Sequence, residues 1–404
     1  MKDVVIVGGI RTPLGAHGGA LRPLSAVELA TIVFKKTLND SGVDLAALDE
    51  VILGCVAQPS DAPNIARVAA LFAGVPREVP GFTVHRNCAS GLEAITSAYR
   101  AIQAGEGELY LVGGTESMSN IPYIVREARW GIKLRHVQFT DALWEGLTDP
   151  VCGQLMGRTA ENLVEQYEIT REEQDAFAVQ SHKKAFMATR TGKFQAEIVP
   201  VYVKKKVAGQ EVASEPIIQD ESINPALTVQ KAALYPAIFK EGGTVTPANS
   251  CPISDGAAAM IVATAERAAQ LGLRPRARLV AYAYAGVDPA YMGIGPALAM
   301  PLALKKAGLT LDDIALIELN EAFAAQCLAV GKEMAAQGYA WDWEKVNVNG
   351  GAIALGHPVG ATGSRQVVTL LNEMERRKAR YGMVTMCVGG GQGGALIVER
   401  VQSP

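Results

Sequence analysis

A pattern that occurs twice constrains the fold of this 404-residue chain more than any single motif. The stretch "KKTLNDSGVDLAALDEVILG", which ends at Gly54, can be laid over "KKAGLTLDDIALIELN", which ends at Asn320, so that Gly42 matches Gly308. Both stretches pass from a helical pattern to a short apolar run. Two halves of like topology are therefore predicted to form the core.

Strand and helix patterns alternate within each half. The first half reads "DVVIVGG", a helix over 26–38, "EVILGCV", "GFTVHRN" before a second helix, and "ELYLVGG". The last third reads "ARLVAYAYAG", a helix, "IALIELN", the helix "RQVVTLLNEMERRK", "YGMVTMCVGGG" and "GALIVER". Short Val/Ile/Leu runs separated by helical patterns predict an α/β fold with βαβ units and a largely parallel, buried sheet.

The middle of the chain differs from both halves. It is rich in Arg, Glu, Gln and Lys, and it contains a helix pair whose second member starts behind Thr170 with Glu173 at the capping-box spacing. This composition predicts an insertion over the core, either a plain surface subdomain or a cap that binds the non-reacting part of a substrate. The cap is favoured, because segments inserted over α/β cores often bind substrate. The predicted N-terminal half is 1–120 completed by 252–275. The predicted inserted loop or cap domain, for CoA binding, is 121–251, and the predicted C-terminal half is 276–404.

Composition excludes several functional classes. A net charge of -3 without a basic stripe argues against nucleic acid, and no apolar run reaches the roughly 20 residues that span a bilayer. The start "MKDVVIVGGIRT" reads as a strand and turn rather than a signal sequence, so a cytoplasmic protein is expected. The cysteines lie singly, which predicts reduced thiols and neither a disulfide framework nor a metal site; they are Cys55, Cys88, Cys152, Cys251, Cys327 and Cys387.

One cysteine lies in a setting that suggests chemistry. In "VHRNCASGLEA", Cys88 follows a strand and precedes a helical pattern, so it falls at or just before the first turn. The exposed N–H groups of a helix N-terminus favour a thiolate, and the small residues after Cys88 leave room for a ligand. The alternative is a small residue packed at a strand–helix junction, and this stretch alone leaves both open.

A histidine lies in the glycine-dense segment "NVNGGAIALGHPVGATGSRQ". His357 stands between Gly356 and Pro358, where the backbone turns sharply before a helix. The segment has no GxGxxG, so a nicotinamide enzyme fits poorly. A structural histidine is the common alternative, but a general base needs such restricted placement, and Cys88 with His357 would supply a nucleophile and its activator.

Two further groups follow strands of the predicted sheet. Cys387 ends a strand before Gly389 in "TMCVGGGQGG", which suggests a second thiol beside backbone N–H groups that could hold an oxyanion. Asn320 ends a strand in "ELNEAF" and could fix a water or a carbonyl oxygen. The carboxyl ends of parallel strands form the ligand crevice of such sheets, so these groups are predicted to meet there.

Taken together, the motifs "NCASG", "GGTESMS", "NEAF", "NGGAIALGHPVGATG" and "CVGGGQGG" resemble those of the thiolases, in the order of that family. The resemblance covers nearly the whole chain. It implies duplicated βαβαβαββ halves that form a five-layer α-β-α-β-α core with an inserted loop or cap domain. It also implies reversible, CoA-dependent cleavage of 3-ketoacyl-CoA, or the reverse Claisen condensation, by a homodimer or homotetramer.

The resemblance assigns roles to particular residues. Cys88 would carry the acyl group, His357 would activate it, and Cys387 would exchange the proton at the substrate α-carbon. Asn320, through a water, and His357 would form one oxyanion hole, and the N–H groups of Cys88 and Gly389 the other. No metal or cofactor is implied, since CoA is a substrate and the thioester acidifies its own α-carbon.

The CoA contacts implied by the resemblance include departures from the family. Leu155 stands where acetoacetyl-specific members carry a His, Asn224 where many place an Arg, and Cys251 where a Ser commonly meets pantetheine. The missing His favours a broader 3-ketoacyl-CoA thiolase over a strict acetoacetyl-CoA enzyme, which is the alternative. The implied CoA-binding residues are Leu155, Met156, Leu234, Pro247, Cys251, Ala322 and Phe323.

Three other classes of protein share part of this pattern. A hydroxymethylglutaryl-type synthase would not need Cys387 in its glycine-rich setting or Asn320 in "NEAF". A non-catalytic thiolase-like lipid-binding or acyl-CoA-binding protein would be expected to lose Cys88 or His357, and neither is lost. A cysteine hydrolase is conceivable from Cys88 and His357 alone, but the second thiol argues against it.

Overall fold

The computed structural model describes residues 2–134, 136–207 and 210–401. Within these residues it has fourteen strands and twelve α-helices. The strands are β1 Val4–Arg11, β2 Gly15–Ala16, β3 Glu50–Gly54, β4 Gly81–Val84, β5 Leu109–Ser117, β6 Tyr123–Ile124, β7 Thr140–Asp141, β8 Lys204–Val207, β9 Gln210–Ala213, β10 Ser254–Thr264, β11 Pro275–Gly286, β12 Ile314–Leu319, β13 Tyr381–Val388 and β14 Gln392–Arg400. The helices are α1 Ala26–Ser41, α2 Ile65–Phe72, α3 Ser90–Ala104, α4 Ala142–Gly146, α5 Met156–Tyr167, α6 Arg171–Arg190, α7 Val229–Ala232, α8 Ala265–Gln270, α9 Gly295–Ala307, α10 Ala324–Ala336, α11 Ala352–Leu355 and α12 Thr362–Arg377.

The main sheet repeats one strand order in its two halves. The first half runs β4-β3-β5-β10-β1 and the second runs β12-β13-β14-β11, with β1 and β11 paired where the halves meet. The two halves of like topology predicted from the repeat are present, because the order β3-β5-β10-β1 in the first half matches β12-β13-β14-β11 in the second. The repeat extends to helix ends, because Gly42 and Gly308 cap α1 and α9 with φ of 66° and 67°, a left-handed conformation that favours glycine.

The prediction of a largely parallel sheet is wrong. Only the pairs β3–β4, β3–β5 and β12–β13 are parallel among the ladders of the main sheet within the described ranges. β10, which follows the inserted segment, lies antiparallel between β1 and β5, and β14 returns antiparallel beside β13. Neighbouring strands in sequence revealed the βαβ units, but the partners of β10 and β11 are set by tertiary packing.

Helices cover both faces of each half, which gives the predicted layers. One apolar cluster joins α1 and α2 to the first half, a second joins both halves through α3 and α12, and a third joins α9 and α10 to the second half. Alternation along β1 shows why: Val5 and Val7 belong to the outer cluster, whereas Val4 and Ile6 belong to the central one. The layered α/β core expected from the sequence is therefore confirmed.

The two central helices pack closely near their first turns. A Cβ atom on Gly91 would lie 2.9 Å from the carbonyl oxygen of Gly360 and 2.9 Å from the nitrogen of Ser364. Only glycine at position 91 allows this approach. It brings the start of α3, which follows Cys88, against the turn that follows His357.

The segment between β5 and β10 contains α4 to α7 and two hairpins, β6–β7 and β8–β9. The capping box expected at the start of α6 is present, with Glu173 N–H donating to Thr170 Oγ1 over 3.1 Å. A buried guanidinium anchors the segment to β1: Arg11 Nε lies 2.6 Å from Glu197 and its Nη1 lies 2.7 Å from Asp220. Among the described helices, none is long and apolar enough to cross a membrane.

Candidate active site

A sharp turn presents Cys88 between β4 and α3. Asn87 has φ of 41°, an uncommon conformation for a residue other than glycine, and its carbonyl accepts the N–H of Ser90 over 3.0 Å. The N–H of Ala89 closes the same turn onto the carbonyl of Arg86. Cys88 is half-buried and precedes the first residue of α3 by two positions, so its sequence placement just before the helix was correct.

The protonation state expected for Cys88 needs correction. Burial raises the pKa of its thiol above the ordinary value, although the N–H of Gly389 and its own N–H lower it in part. The position before the helix therefore does not produce a resting thiolate, because loss of solvation outweighs these donors. A thiol in this state needs a base before it can attack.

The ring of His357 is held in one tautomer. Thr362 Oγ1 donates its single proton to the carbonyl of Pro358 over 3.0 Å, so it must accept from His357 Nδ1–H over 2.6 Å. This network assigns the proton to Nδ1 and leaves a lone pair on Nε2. Gly356, with φ of 116°, supplies the backbone turn that aims the ring.

His357 is neutral in this environment. Its side chain is buried, and this burial, with the nearby charge of Arg365, lowers its pKa to about 3. Nε2 lies 3.4 Å from Nδ2 of Asn320. A neutral imidazole with an unprotonated Nε2 can accept a proton from a thiol.

Asn320 lies where β12 ends and faces the ring of His357. Its N–H donates to the carbonyl of Thr385 on β13 over 2.9 Å. The side chain of Asn347 holds Leu319, the residue before Asn320, through two hydrogen bonds. Its Oδ1 accepts the N–H of Leu319 over 2.9 Å, and its Nδ2 donates to the carbonyl of Leu319 over 2.8 Å. Asn320 Oδ1 is buried and has no hydrogen-bond partner among the described residues, so it can receive a donor from a ligand or a water.

Cys387 lies one residue before the end of β13 and is fully buried. Burial, followed by the nearby thiols of Cys88 and Cys251, raises its pKa well above the ordinary value. Cys387 is therefore a protonated thiol at neutral pH. The fold brings these three cysteines together from distant parts of the sequence, as predicted for Cys88 and Cys387.

The glycines after β13 form a tight turn beside Cys88. Gly390 and Gly391 have φ of 82° and 76°, which glycine adopts without strain. The carbonyl of Gly389 accepts Asn87 Nδ2–H over 2.7 Å, and its N–H points to the thiol of Cys88. This N–H and that of Cys88 are the two donors that the sequence suggested for an oxyanion.

A cavity of about 1340 Å³ reaches this site. Its wall includes Cys88, Gly389 and Met156, and the inserted segment contributes much of the rest. Met156 also packs in one apolar cluster with Cys387, Ala322 and Phe323.

The other residues expected to bind CoA are spread more widely. Leu155 is half-buried directly before α5, and Cys251 is half-buried with its N–H on the carbonyl of Ala322 over 3.0 Å. Leu234 is 82% exposed and Pro247 is exposed, and neither lines the large cavity. The structure thus groups Met156, Ala322, Phe323 and Cys251 near the thiols, but not Leu234 or Pro247.

Several residues that hold the site were not anticipated. Thr362 lies in the quoted "GATG" motif, so its spacing from His357 was an available signal. The carboxylate of Glu116 is buried and accepts the N–H groups of Val56, Ala57 and Gly360. It therefore joins the turn after His357 to the chain that follows β3. Asp149 contacts Gly390 from the inserted segment, and no local pattern could have shown it.

The groups in this site define a class of protein. A thiol with two N–H donors, a second thiol that is protonated and a neutral imidazole suit covalent acyl transfer. No group of three or more His, Cys, Asp or Glu residues in 2–134, 136–207 and 210–401 is arranged to hold a metal.

Comparison with known proteins agrees with that class. Residues 4–266 match the thiolase N-terminal domain and residues 273–400 match the thiolase C-terminal domain. An acetyl-CoA acetyltransferase from Syntrophomonas wolfei is 46% identical over 98% of this chain and 99% of its own, and a probable acetyl-CoA acyltransferase from Staphylococcus epidermidis is 45% identical over the full length of both. The chain belongs to the thiolase family and is an enzyme of the acyltransferase class.

Solved structures agree as well. The crystal structure of the Bacillus anthracis acetyl-CoA acetyltransferase superposes with a TM-score of 0.95 at 46% identity over 99% of both chains. The crystal structure of human mitochondrial 3-ketoacyl-CoA thiolase superposes with a TM-score of 0.93 at 40% identity over 99% of both chains. The structure of the same human enzyme in complex with CoA gives the same TM-score and identity over 99% of this chain and 98% of the human chain.

Proposed function

We propose that this thiolase cleaves 3-ketoacyl-CoA with CoA to acetyl-CoA and a shortened acyl-CoA, and runs the reverse condensation, through an acyl group on Cys88. The observation that carries the proposal is a pair of thiols: Cys88, whose sulfur lies against the N–H of Gly389, and the protonated Cys387 near it. The neutral His357, whose following turn packs against the start of α3, is proposed to act with them. CoA is the proposed thiol substrate because the human relative is solved in complex with CoA.

The first half-reaction uses His357 and Cys88. Nε2 takes the thiol proton as sulfur attacks the ketone carbon, and the N–H groups of Cys88 and Gly389 stabilise the oxyanion that forms. Since the thiol pKa is raised and the imidazole pKa is lowered, proton transfer must accompany the attack instead of preceding it. Collapse of the oxyanion breaks the bond between the α-carbon and the former ketone carbon, which leaves acyl-Cys88 and an acetyl-CoA enolate.

Cys387 completes that half-reaction. Its protonated thiol donates to the α-carbon of the enolate, and acetyl-CoA leaves. Asn320, beside Nε2 of His357, is proposed to stabilise the enolate oxygen through a water held at its unpaired Oδ1, together with His357. A CoA thiol then gives its proton to the Cys387 thiolate as its sulfur attacks acyl-Cys88. Acyl-CoA leaves as the bond between the acyl carbon and the Cys88 sulfur breaks, and His357 returns its proton to that sulfur, which restores all three groups.

The proposed chain-length range is broad, with a strict acetoacetyl-CoA enzyme as the alternative. Leu155 supports this range, because an apolar side chain at this position, beside Met156, offers no imidazole to mark a short substrate. Met156, Leu155, Cys251, Ala322 and Phe323 are proposed to contact the pantetheine. Leu234 and Pro247 are proposed to contact CoA only at its outer part, because both are exposed.

Four broader expectations stay predictions. We keep the division into 1–120 with 252–275, 121–251 and 276–404, supported by β10 lying between β1 and β5 after the inserted segment. A homodimer or homotetramer, no cofactor beyond CoA as substrate, and a cytoplasmic location are predicted as well.

Thiolysis assays with acetoacetyl-CoA and with longer 3-ketoacyl-CoA thioesters test the proposal. Cleavage of the longer substrates at comparable kcat/KM is expected, whereas a sharp preference for acetoacetyl-CoA would favour the alternative. Absence of thiolysis with every substrate would overturn the function. The variant Cys387→Ala should still form acyl-Cys88 but lose exchange of the acetyl-CoA α-protons with solvent, and exchange at the wild-type rate would remove Cys387 from the mechanism.

A further inference from the structure

The peptide group between Gly389 and Gly390 is held from two sides by residues that are far apart in the sequence. Its carbonyl accepts Asn87 Nδ2–H over 2.7 Å, and its N–H donates to Asp149 Oδ2 over 3.1 Å. A peptide group is planar, so bonding both of its polar ends fixes its orientation. Glycines impose no orientation of their own, so this turn depends on such outside partners.

Asp149 is itself fixed within the inserted segment. Its side chain is buried, and Oδ1 accepts the N–H of Val151 over 2.8 Å and that of Cys152 over 3.1 Å. Its own N–H donates to the carbonyl of Gln154 over 2.8 Å. One carboxylate oxygen therefore shapes a turn of the inserted segment, and the other reaches into the core.

These contacts bear on the donor next to the nucleophile. The pairing of Val388 with Gln392 fixes the chain before Gly389, and the held peptide fixes the chain after it. The N–H of Gly389 therefore has one direction, toward the thiol of Cys88. A donor that is already aimed at the oxyanion stabilises it without reorganisation.

We propose that Asp149 is a positioning residue that holds the N–H of Gly389 toward Cys88, so that the inserted segment completes the oxyanion-stabilising part of the site. The inference rests on the proposed function, since it requires acyl transfer at Cys88. Asp149 also lines the large cavity, so the residue that orients the donor borders the space open to a substrate.

The variant Asp149→Asn tests the inference with almost no change of size. If its oxygen keeps the N–H groups of Val151 and Cys152, its amide group faces the N–H of Gly390, donor against donor. The rate of Cys88 acylation by acetyl-CoA, measured by quenched-flow mass spectrometry, should fall by about 10- to 100-fold, because one oxyanion donor is misdirected. KM for CoA should change little, and alkylation of Cys88 by iodoacetamide should shift to higher pH.

Two further variants make the result decisive. Asp141→Asn is the matched control, because Asp141 caps α4 in the same segment through the N–H of Leu143 and does not contact the glycine turn. It should acylate at the wild-type rate. Asp149→Ser, whose hydroxyl is too short to reach Gly390, should reproduce the loss if Asp149→Asn does not fold, as judged by its thermal melt.

Acylation of Asp149→Asn and Asp149→Ser at the wild-type rate would overturn the inference, as would a loss confined to KM. Wild-type enzyme is measured first. Failure of the wild type to acylate would overturn the proposed function itself, whereas normal acylation by both wild type and variants would overturn only the role of Asp149.

Discussion

At the residue scale, the site uses groups that are neutral before substrate arrives. Burial pushes the thiol pKa of Cys88 and Cys387 upward and the imidazole pKa of His357 downward, so each shift disfavours the charged form. A resting thiolate–imidazolium pair is therefore not expected. In the proposed mechanism, charge arises only during the reaction, where the N–H groups of Cys88 and Gly389 would stabilise it.

This state predicts the pH dependence of Cys88 alkylation. The thiolate is the reactive form, and a raised thiol pKa moves its formation to higher pH, so the rate with iodoacetamide should climb through neutral pH and level off only above the ordinary thiol pKa of about 8.5. Because the pKa of His357 is lowered to about 3, no inflection is expected near pH 6.5. A plateau that extends into the acid range, measured in a Cys251→Ser background, would contradict this prediction.

A second prediction concerns the tautomer of His357. Thr362→Val keeps the shape of the side chain but removes the acceptor for Nδ1–H, so the ring can protonate Nε2 instead. We expect kcat to fall by about 100-fold, less than the roughly 10⁴-fold seen when a charged orienting group is lost. Thr362→Ser retains the hydroxyl and should keep most of the activity. Equal activity of the Val and Ser variants would show that Thr362 does not set the tautomer.

How well the sequence predicts these residues depends on how local their settings are. Cys88, Cys387 and Asn320 lie in short motifs near strand ends, and His357 lies in a glycine-rich turn before α12, so their positions were predictable. Their protonation states were not, because burial is a property of the packed molecule. Asp149 reaches the site from a segment far away in sequence, so no spacing rule indicates it.

At the scale of elements, the approach of α3 to α12 positions Cys88 relative to His357, the proposed nucleophile and base. Glycines at the contact let the two first turns meet, and Ser364 Oγ donates to the carbonyl of Gly91 over 2.9 Å. His357 and Cys88 each lie just before one of these helices. The geometry of the pair thus depends on helix packing as well as on the residues themselves.

Gly91→Ala tests this dependence. The new Cβ would press on Gly360 and Ser364, and overpacking of this kind lowers the free energy of unfolding by about 1–3 kcal/mol. Activity should fall as well, because Gly360 follows His357 in the same turn. Gly286→Ala is the control, since its Cβ would meet nothing within 4 Å. Thermal melts and thiolysis rates would show whether the two losses appear together, and an unchanged rate with Gly91→Ala would separate the contact from catalysis.

Most elements of the fold were predictable, but their pairing was only partly so. The repeat indicated two halves, and local patterns placed β1, β3, β5, β12 and β13 near their observed positions. The predicted division adds 252–275, and thus β10, to the first half, but the antiparallel direction of β10 was not predicted. Its neighbours β1 and β5 precede it by more than a hundred residues of intervening chain. Local periodicity carries no information on such distant partners.

At the scale of the whole molecule, buried charge joins the inserted segment to the core. Arg11 is fully buried with Glu197 and Asp220, and Glu197 also accepts from Thr369 on α12 over 3.0 Å. The segment that lines the cavity is thus tied to β1 and to the helix that follows His357. Buried contacts with the core therefore hold the inserted segment in place over the site.

Arg11→Met tests this tie. Removing one partner leaves Glu197 and Asp220 buried without their cation, so unfolding should become easier by about 3–5 kcal/mol. Limited proteolysis should then cut within 121–251 faster than in the wild type. Lys36→Met removes the exposed pair with Asp40 and should leave both the melting temperature and the cleavage rate unchanged. Equal behaviour of the two variants would show that the buried cluster does not hold the segment.

The most direct test of the whole account is the site of acetylation. Enzyme incubated with acetyl-CoA, quenched in acid and digested should carry one acetyl group on the peptide that contains Cys88, and Cys88→Ala should carry none. An acetyl group on Cys251 or Cys387 in the wild type, with Cys88 unmodified, would contradict the central claim that Cys88 carries the acyl group.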